Sequence, residues 1–193
     1  MSPARYVRNL RIWVGGEDNV PENLFELTQR FSNVEKISLM GHDGVPPLQR
    51  PLLWRLPQSI TSLAIDTDTI TLLQVRDVMA HLPNLDDLSL SGSLAAMDKR
   101  ELPGIGTVLR GRFGGKLVLC DGCVHEDIIN MLSEIPLGLH FTDVWIHCTG
   151  DRLPLVVHLA EACSKALVRL VMHLTFFTFP FPFLSSFLHS KTI

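Results

Sequence analysis

The stretch LPNLDDLSLSG (residues 82–92) sets Leu85, Leu88 and Leu90 in the order apolar-x-x-apolar-x-apolar, two residues after Pro83. Leu88 and Leu90 flank Ser89, and alternation of this kind reads as a strand with one face buried and the other open. The same pattern recurs as VRNLRI (7–12), VEKISL (34–39), ITSLAI (60–65), GGKLVL (114–119), FTDVWI (141–146) and LVRLVM (167–172). The first apolar slot fails once, at Gly114. With the middle apolar residue as marker, Leu10, Ile37, Leu63, Leu88, Leu117, Val144 and Leu170 are separated by 27, 26, 25, 29, 27 and 26 residues. Strands at so even a spacing, seven in all, read as copies of one unit stacked in a row.

Between the copies the pattern changes to helical spacing. PENLFELTQRF (21–31) puts Leu24, Leu27 and Phe31 on one face behind a proline suited to a first helical turn. TITLLQVRDVMAHLP (69–83) offers a Thr cap and then Leu72, Leu73 or Val75, Met79 and Leu82, ending at Pro83. VHEDIINMLSEIP (124–136) and DRLPLVVHLAEACSKA (151–166) repeat the plan, through Ile128, Ile129 and Leu132 and through Leu155, Val156 and Leu159. Residues 46–55 and 97–112 read as weaker helices, interrupted by Pro46, Pro47, Pro51 and Pro103 and by glycines. Strand-helix-strand order demands parallel pairing. The rival architecture is a doubly wound sheet, whose strands are apolar on both faces and whose units run longer. Here each strand carries one residue between its two inner apolar positions, Arg11, Ser38, Ala64, Ser89, Val118, Trp145 and Val171, which leaves one sheet face to solvent.

The seven motifs resemble leucine-rich repeats with helices on the convex side, and their loose, Asn-poor form is similar to the repeat regions of F-box proteins, fungal ones in particular. The resemblance implies an α/β leucine-rich-repeat solenoid, a horseshoe arc of about seven β-α repeats, with a parallel sheet on its concave side. The expected repeat domain is 1–173, with strands near 7–14, 34–40, 59–65, 85–91, 116–120, 142–147 and 167–173. In the family an Asn or Cys three residues after the last strand leucine ties backbone groups of adjacent coils. Here that slot holds Gly15, His42, Asp68, Ser93, Gly122, Thr149 and Thr175, which puts the regularity of the turns in question. F-box members carry a helical segment of some forty residues before the repeats that recruits them to a cullin-type ubiquitin ligase, whereas this sequence enters its first repeat at Val7. The expectation is a fragment of such a substrate receptor, or a repeat protein with no ligase connection.

The 193 residues, 46% hydrophobic, suffice for one well-filled core. A net charge of −3 argues against a surface built to neutralise nucleic-acid phosphates or anionic lipid. The first residues lack the apolar run of a secretory signal, no Asn-x-Ser/Thr acceptor occurs, and four cysteines (Cys120, Cys123, Cys148, Cys163) crowd into the second half. An intracellular, cytoplasmic or nuclear, location is expected. Residues 174–193 hold six of the ten phenylalanines and break the period, and Pro180 and Pro182 interrupt any membrane-spanning helix. This tail is expected to be a poorly ordered segment or a gene-model artefact, with a cap over the last coil as the competing reading.

Catalytic motifs fail on spacing. GRFGGKL (111–117) lacks a residue of the phosphate-loop pattern, puts Leu117 where a hydroxyl must hold magnesium, and enters a strand instead of leaving one. HEDII (125–129) has Ile129 where a zinc-protease helix needs its second His. The metal alternative is zinc on Cys120, Cys123 and His147, a small α/β enzyme or zinc protein, since Cys120 and His147 fall at equivalent strand positions. The leading expectation is a non-enzymatic module without cofactor that binds a protein partner through its concave face. The residues expected to do so are Arg11, Trp13, Lys36, Met40, Asp66, Asp87, Lys116, Asp143, Trp145, His147 and Arg169, because Trp and Arg carry much interface energy. Components of a ubiquitin ligase join the expected partners if an F-box precedes the repeats.

Overall fold

A computed structural model of the chain describes residues 6–14, 31, 33–41, 56–95 and 109–175. Seven strands form one open sheet in the order β1-β2-β3-β4-β5-β6-β7, every neighbouring pair parallel. They are β1 (Asn9–Val14), β2 (Lys36–Gly41), β3 (Ser62–Ile70), β4 (Asp87–Leu94), β5 (Gly114–Cys120), β6 (His140–Thr149) and β7 (Arg169–Thr175). Three helices fall among the described residues: α1 (Leu72–His81), α2 (Glu126–Ser133) and α3 (Leu153–Ala162). The helix expected over 46–55, and most of those over 21–31 and 97–112, lie outside the described residues.

The register coincides with the sequence period. Leu10, Ile37, Leu63, Leu88, Leu117, Val144 and Leu170 are successive ladder partners across the whole sheet. The sheet never reverses its order, whereas a doubly wound sheet turns back at a switch point to place helices on both faces. Here the inner residues of β1–β6 and the buried sides of all three helices belong to one cluster, so the helices cover a single face.

The unit repeats in backbone hydrogen bonds as well. At strand entry, the Arg8 carbonyl accepts from the N–H groups of Glu35 and Lys36, Glu35 from Thr61 and Ser62, and Thr61 from Asp86 and Asp87. The entries to β2, β3 and β4 thus each dock on the preceding coil through one doubly used carbonyl, while the later entries use single bonds, Lys116 N–H on Asp86 at 2.9 Å, His140 N–H on Phe113 at 2.8 Å and Val168 N–H on Thr142 at 2.8 Å. Side chains follow the same period. Ser59 Oγ donates to the Val34 carbonyl (3.1 Å), His81 Nε2 meets the Leu56 carbonyl (2.9 Å) and Thr142 Oγ1 donates to Gly115 (3.1 Å), all spanning 25 or 27 residues.

The missing apolar slot at Gly114 has a local answer. Phe113, one residue earlier, is fully buried, and the β5–β6 register shifts between Gly115 and Lys116. Gly115 has φ +66°, and a Cβ there would lie 2.4 Å from the Asp86 carbonyl oxygen. Only glycine tolerates both the left-handed backbone and the close approach that let Phe113 fill the gap.

Helix starts are chemically explicit. Thr71 caps α1 in a reciprocal box, with Gln74 N–H on Thr71 Oγ1 (3.2 Å) and Thr71 N–H on Gln74 Oε1 (2.7 Å). His125, the first residue of HEDII, caps α2 by accepting the Asp127 N–H on Nδ1 at 3.2 Å. Its neighbours Glu126 and Asp127 sit in the first turn, where the helix dipole favours negative charge. That is a structural use of a segment resembling a protease motif.

Candidate functional site: the open face of the sheet

Strand alternation sends the residues between the core positions outward, and the register sets them in columns. Asn9, Lys36, Ser62 and Asp87 are one run of partners, continued by Lys116, Asp143 and Arg169. Arg11, Ser38, Ala64, Ser89, Val118, Trp145 and Val171 form the next. Trp13, Met40 and Asp66 share a third at one end, while Cys120, His147 and His173 share it at the other. All eleven residues expected on this face lie at its positions.

The structure divides them into two groups with a low middle. Arg11 and Trp13 on β1 sit beside Lys36 and Met40 on β2, with Trp13 62% exposed. Ser38, Ala64 and Ser89 floor the centre, flanked by Asp66 and Asp87. Five strand spacings of ~4.8 Å put β1 about 24 Å from β6 along this face.

The second group is the more organised. Lys116 Nζ lies over the Trp145 indole at 4.3 Å from the ring centroid, and the Arg169 guanidinium carbon lies 5.6 Å from it. Arg169 also pairs with Asp143, which accepts from the Thr142 hydroxyl at 3.4 Å. Asp87 accepts the Lys116 backbone N–H at 3.2 Å. The indole is thus held between cations from both neighbouring strands, with Asp143 fixing the Arg169 guanidinium and Asp87 the Lys116 backbone. Trp145 Nε1 is buried with no hydrogen-bond partner among the described residues, an arrangement that costs ~1–3 kcal/mol. Next to it, the imidazoles of His147 and His173 stack with centroids 4.5 Å apart and planes 16° from parallel. Residue spacing alone indicated the columns. The rotamers that stack the rings and the unsatisfied indole N–H became visible only with side chains in place.

The cysteines do not converge. Cys120 and His147 are ladder partners on the open face, but Cys123 is fully buried and donates its thiol to the Gly92 carbonyl at 3.4 Å, 31 residues back. Gly122 packs equally tightly there, for a Cβ on it would lie 2.8 Å from the same oxygen. Cys163, which caps the C-terminal end of α3, is buried, and burial pushes its thiol up to about 11 from 9.0. Among the described residues no three His, Cys, Asp or Glu side chains gather to hold a metal ion. No helix among them is long and apolar enough to cross a membrane.

Compared with known protein families, curated proteins and solved structures, the chain matches none of them.

Proposed function

We propose that the chain is a leucine-rich-repeat module that binds a protein partner across the open face of its sheet and performs no chemistry of its own. The observation that carries this reading is Trp145, a large aromatic on the uncovered face, framed by Lys116 and Arg169 and holding an indole N–H without an acceptor. Packing within the repeat does not call for a tryptophan at a position filled by Ser38, Ala64 and Ser89 in other coils. Aromatic and Arg side chains in such settings anchor interfaces, and a partner carbonyl supplies the missing acceptor once the ring turns outward. The repeat assignment draws support from Cys123, whose thiol ties adjacent coils by a backbone carbonyl as the family's Asn or Cys does, one residue later than the usual slot. By the same resemblance, a substrate presented for ubiquitination is the partner that fits this face if an F-box segment precedes the repeats, and a partner with no ligase connection fits it otherwise.

The test is quantitative capture on the immobilised 193-residue chain, wild type and Trp145→Ala side by side, followed by affinity measurement for each protein retained. A partner whose Kd rises at least tenfold with Trp145→Ala is the expected result, corresponding to the ~1.4 kcal/mol or more typical of an anchor. Partners held equally by both chains would sink the open-face reading.

A further inference from the structure

The last coil leaves apolar surface that the earlier coils cover. In β2–β6 the inner residues are buried, but on β7 Leu170 is 38% and Met172 45% exposed. On α3, Leu153 and Val157 are exposed too, Val157 at 56%. These side chains are not scattered: an open groove of about 370 Å³ between α3 and β7 is lined chiefly by Leu153, Val156, Val157, Ala160, Leu170 and Met172.

The fold itself says which part of a chain belongs there. The helix that follows β3 packs against the helix that follows β5, and that one against the helix that follows β6. Each segment leaving a strand covers the segment that left an earlier one. The segment leaving β7 is residues 176–193, and it begins one residue beyond Thr175, on the strand that forms one wall of the groove. Its composition matches the surface: six of its 18 residues are phenylalanine, and Lys191 is the single charged residue among Asp, Glu, Lys and Arg. A tethered segment also meets the groove at the millimolar effective concentrations of short linkages, which a separate partner must reach by abundance.

We propose that the groove between α3 and β7 is the docking site of the phenylalanine-rich segment 176–193 of the same chain, which caps the apolar end of the array. An open stack needs such a cap, because its terminal coil has no neighbour to bury its inner face. The proposal is independent of what the open sheet face binds.

The experiment places a photo-crosslinker in the groove of the full chain, as Val157→p-benzoylphenylalanine. Val157 is 56% exposed, so the larger side chain leaves the core intact. After irradiation, monomer and dimer fractions are separated and their cross-linked peptides mapped. The expected product is an intrachain link from position 157 to a peptide within 176–193, recovered from monomer. A second chain carries the same crosslinker with Phe176, Phe177, Phe179, Phe181, Phe183 and Phe187 all replaced by Ser, and its link to that region is expected to fall at least fivefold. Links joining two chains would assign the groove to a second copy and overturn the proposal. So would links confined to residues 1–175, no link at all, or an undiminished yield in the serine variant.

Discussion

The two faces of this sheet are built from the same seven strands and obey opposite rules. On the covered face the partners are Ile37, Leu63, Leu88, Leu117 and Val144, aliphatic without exception and fully buried. On the open face the equivalent column runs Ser38, Ala64, Ser89, Val118 and Trp145, with nothing shared but the side of the sheet they occupy. A buried position must fill fixed space at crystal-like density, so chemistry and size are both constrained. An open position need only stay soluble, and departures from small or polar there call for another cause. The difference teaches where to look for each property: stability in the uniform columns and, on the reading proposed above, recognition in the irregular ones.

The strongest way to break that comparison is at its rigid end. Phe141 occupies the first apolar slot of β6 and is wholly buried, as is Phe113, which serves the same core from outside the regular slot. Phe141→Ala is expected to lower unfolding free energy by ~3–5 kcal/mol, since the ring's burial is lost and a cavity remains. Denaturant titration of both chains, read by far-UV circular dichroism, measures it. A loss below about 1 kcal/mol would mean that the covered face is not packed as a core.

Between the faces lies the seam that joins one coil to the next. Gly92 has φ +134°, and a Cβ on it would lie 1.9 Å from the Thr67 carbonyl oxygen. Gly92→Ala is therefore expected to cost ~1–3 kcal/mol in the same titration, through backbone strain and forced separation of the coils. The Gly92 carbonyl also receives the Cys123 thiol, so a second readout follows: Cys123 should react faster with a thiol reagent in Gly92→Ala than in the parent chain. Unchanged stability together with unchanged labelling would show that the seam is loose.

Legibility in the sequence followed the same division. The covered face announced itself, because period-two alternation returning every 25 to 29 residues demands stacked strands in a common phase, and the markers read from it are the ladder partners observed. Strand ends were less clear: β3 continues to Ile70, beyond its expected end near residue 65, because Thr67 and Thr69 suit a strand as well as a loop. The role of Phe113 was hidden, because a bulge shifts it into a slot that alternation assigns to Gly114. On the open face the sequence indicated which residues share a side but not which touch. The Lys116–Trp145–Arg169 stack depends on side-chain rotamers, which no spacing rule encodes. Cys123 entered the sequence reading as a candidate zinc ligand, while its thiol bond to the Gly92 carbonyl needed the coil-to-coil geometry.

The open face sharpens the comparison from the other side. Arg169 is mostly exposed, pairs with Asp143 and stacks toward Trp145. Exposed ion pairs contribute little because water screens them and two long side chains must be held still, and a cation over an exposed ring adds ~0.5–1 kcal/mol. Arg169→Ala is accordingly expected to change unfolding free energy by less than about 1 kcal/mol in the denaturant titration that registers Phe141→Ala as several. Its effect should appear in recognition instead. With the guanidinium gone the indole loses one of the two cations that frame it, so Trp145 fluorescence is expected to change in the folded state while the unfolding midpoint moves little; Trp13 and Trp54, common to both chains, contribute equally and cancel in the difference spectrum. A stability loss as large as that of Phe141→Ala would place Arg169 among the groups that hold the fold, and the division between the two faces would then fail at the position where charge and aromatic surface meet.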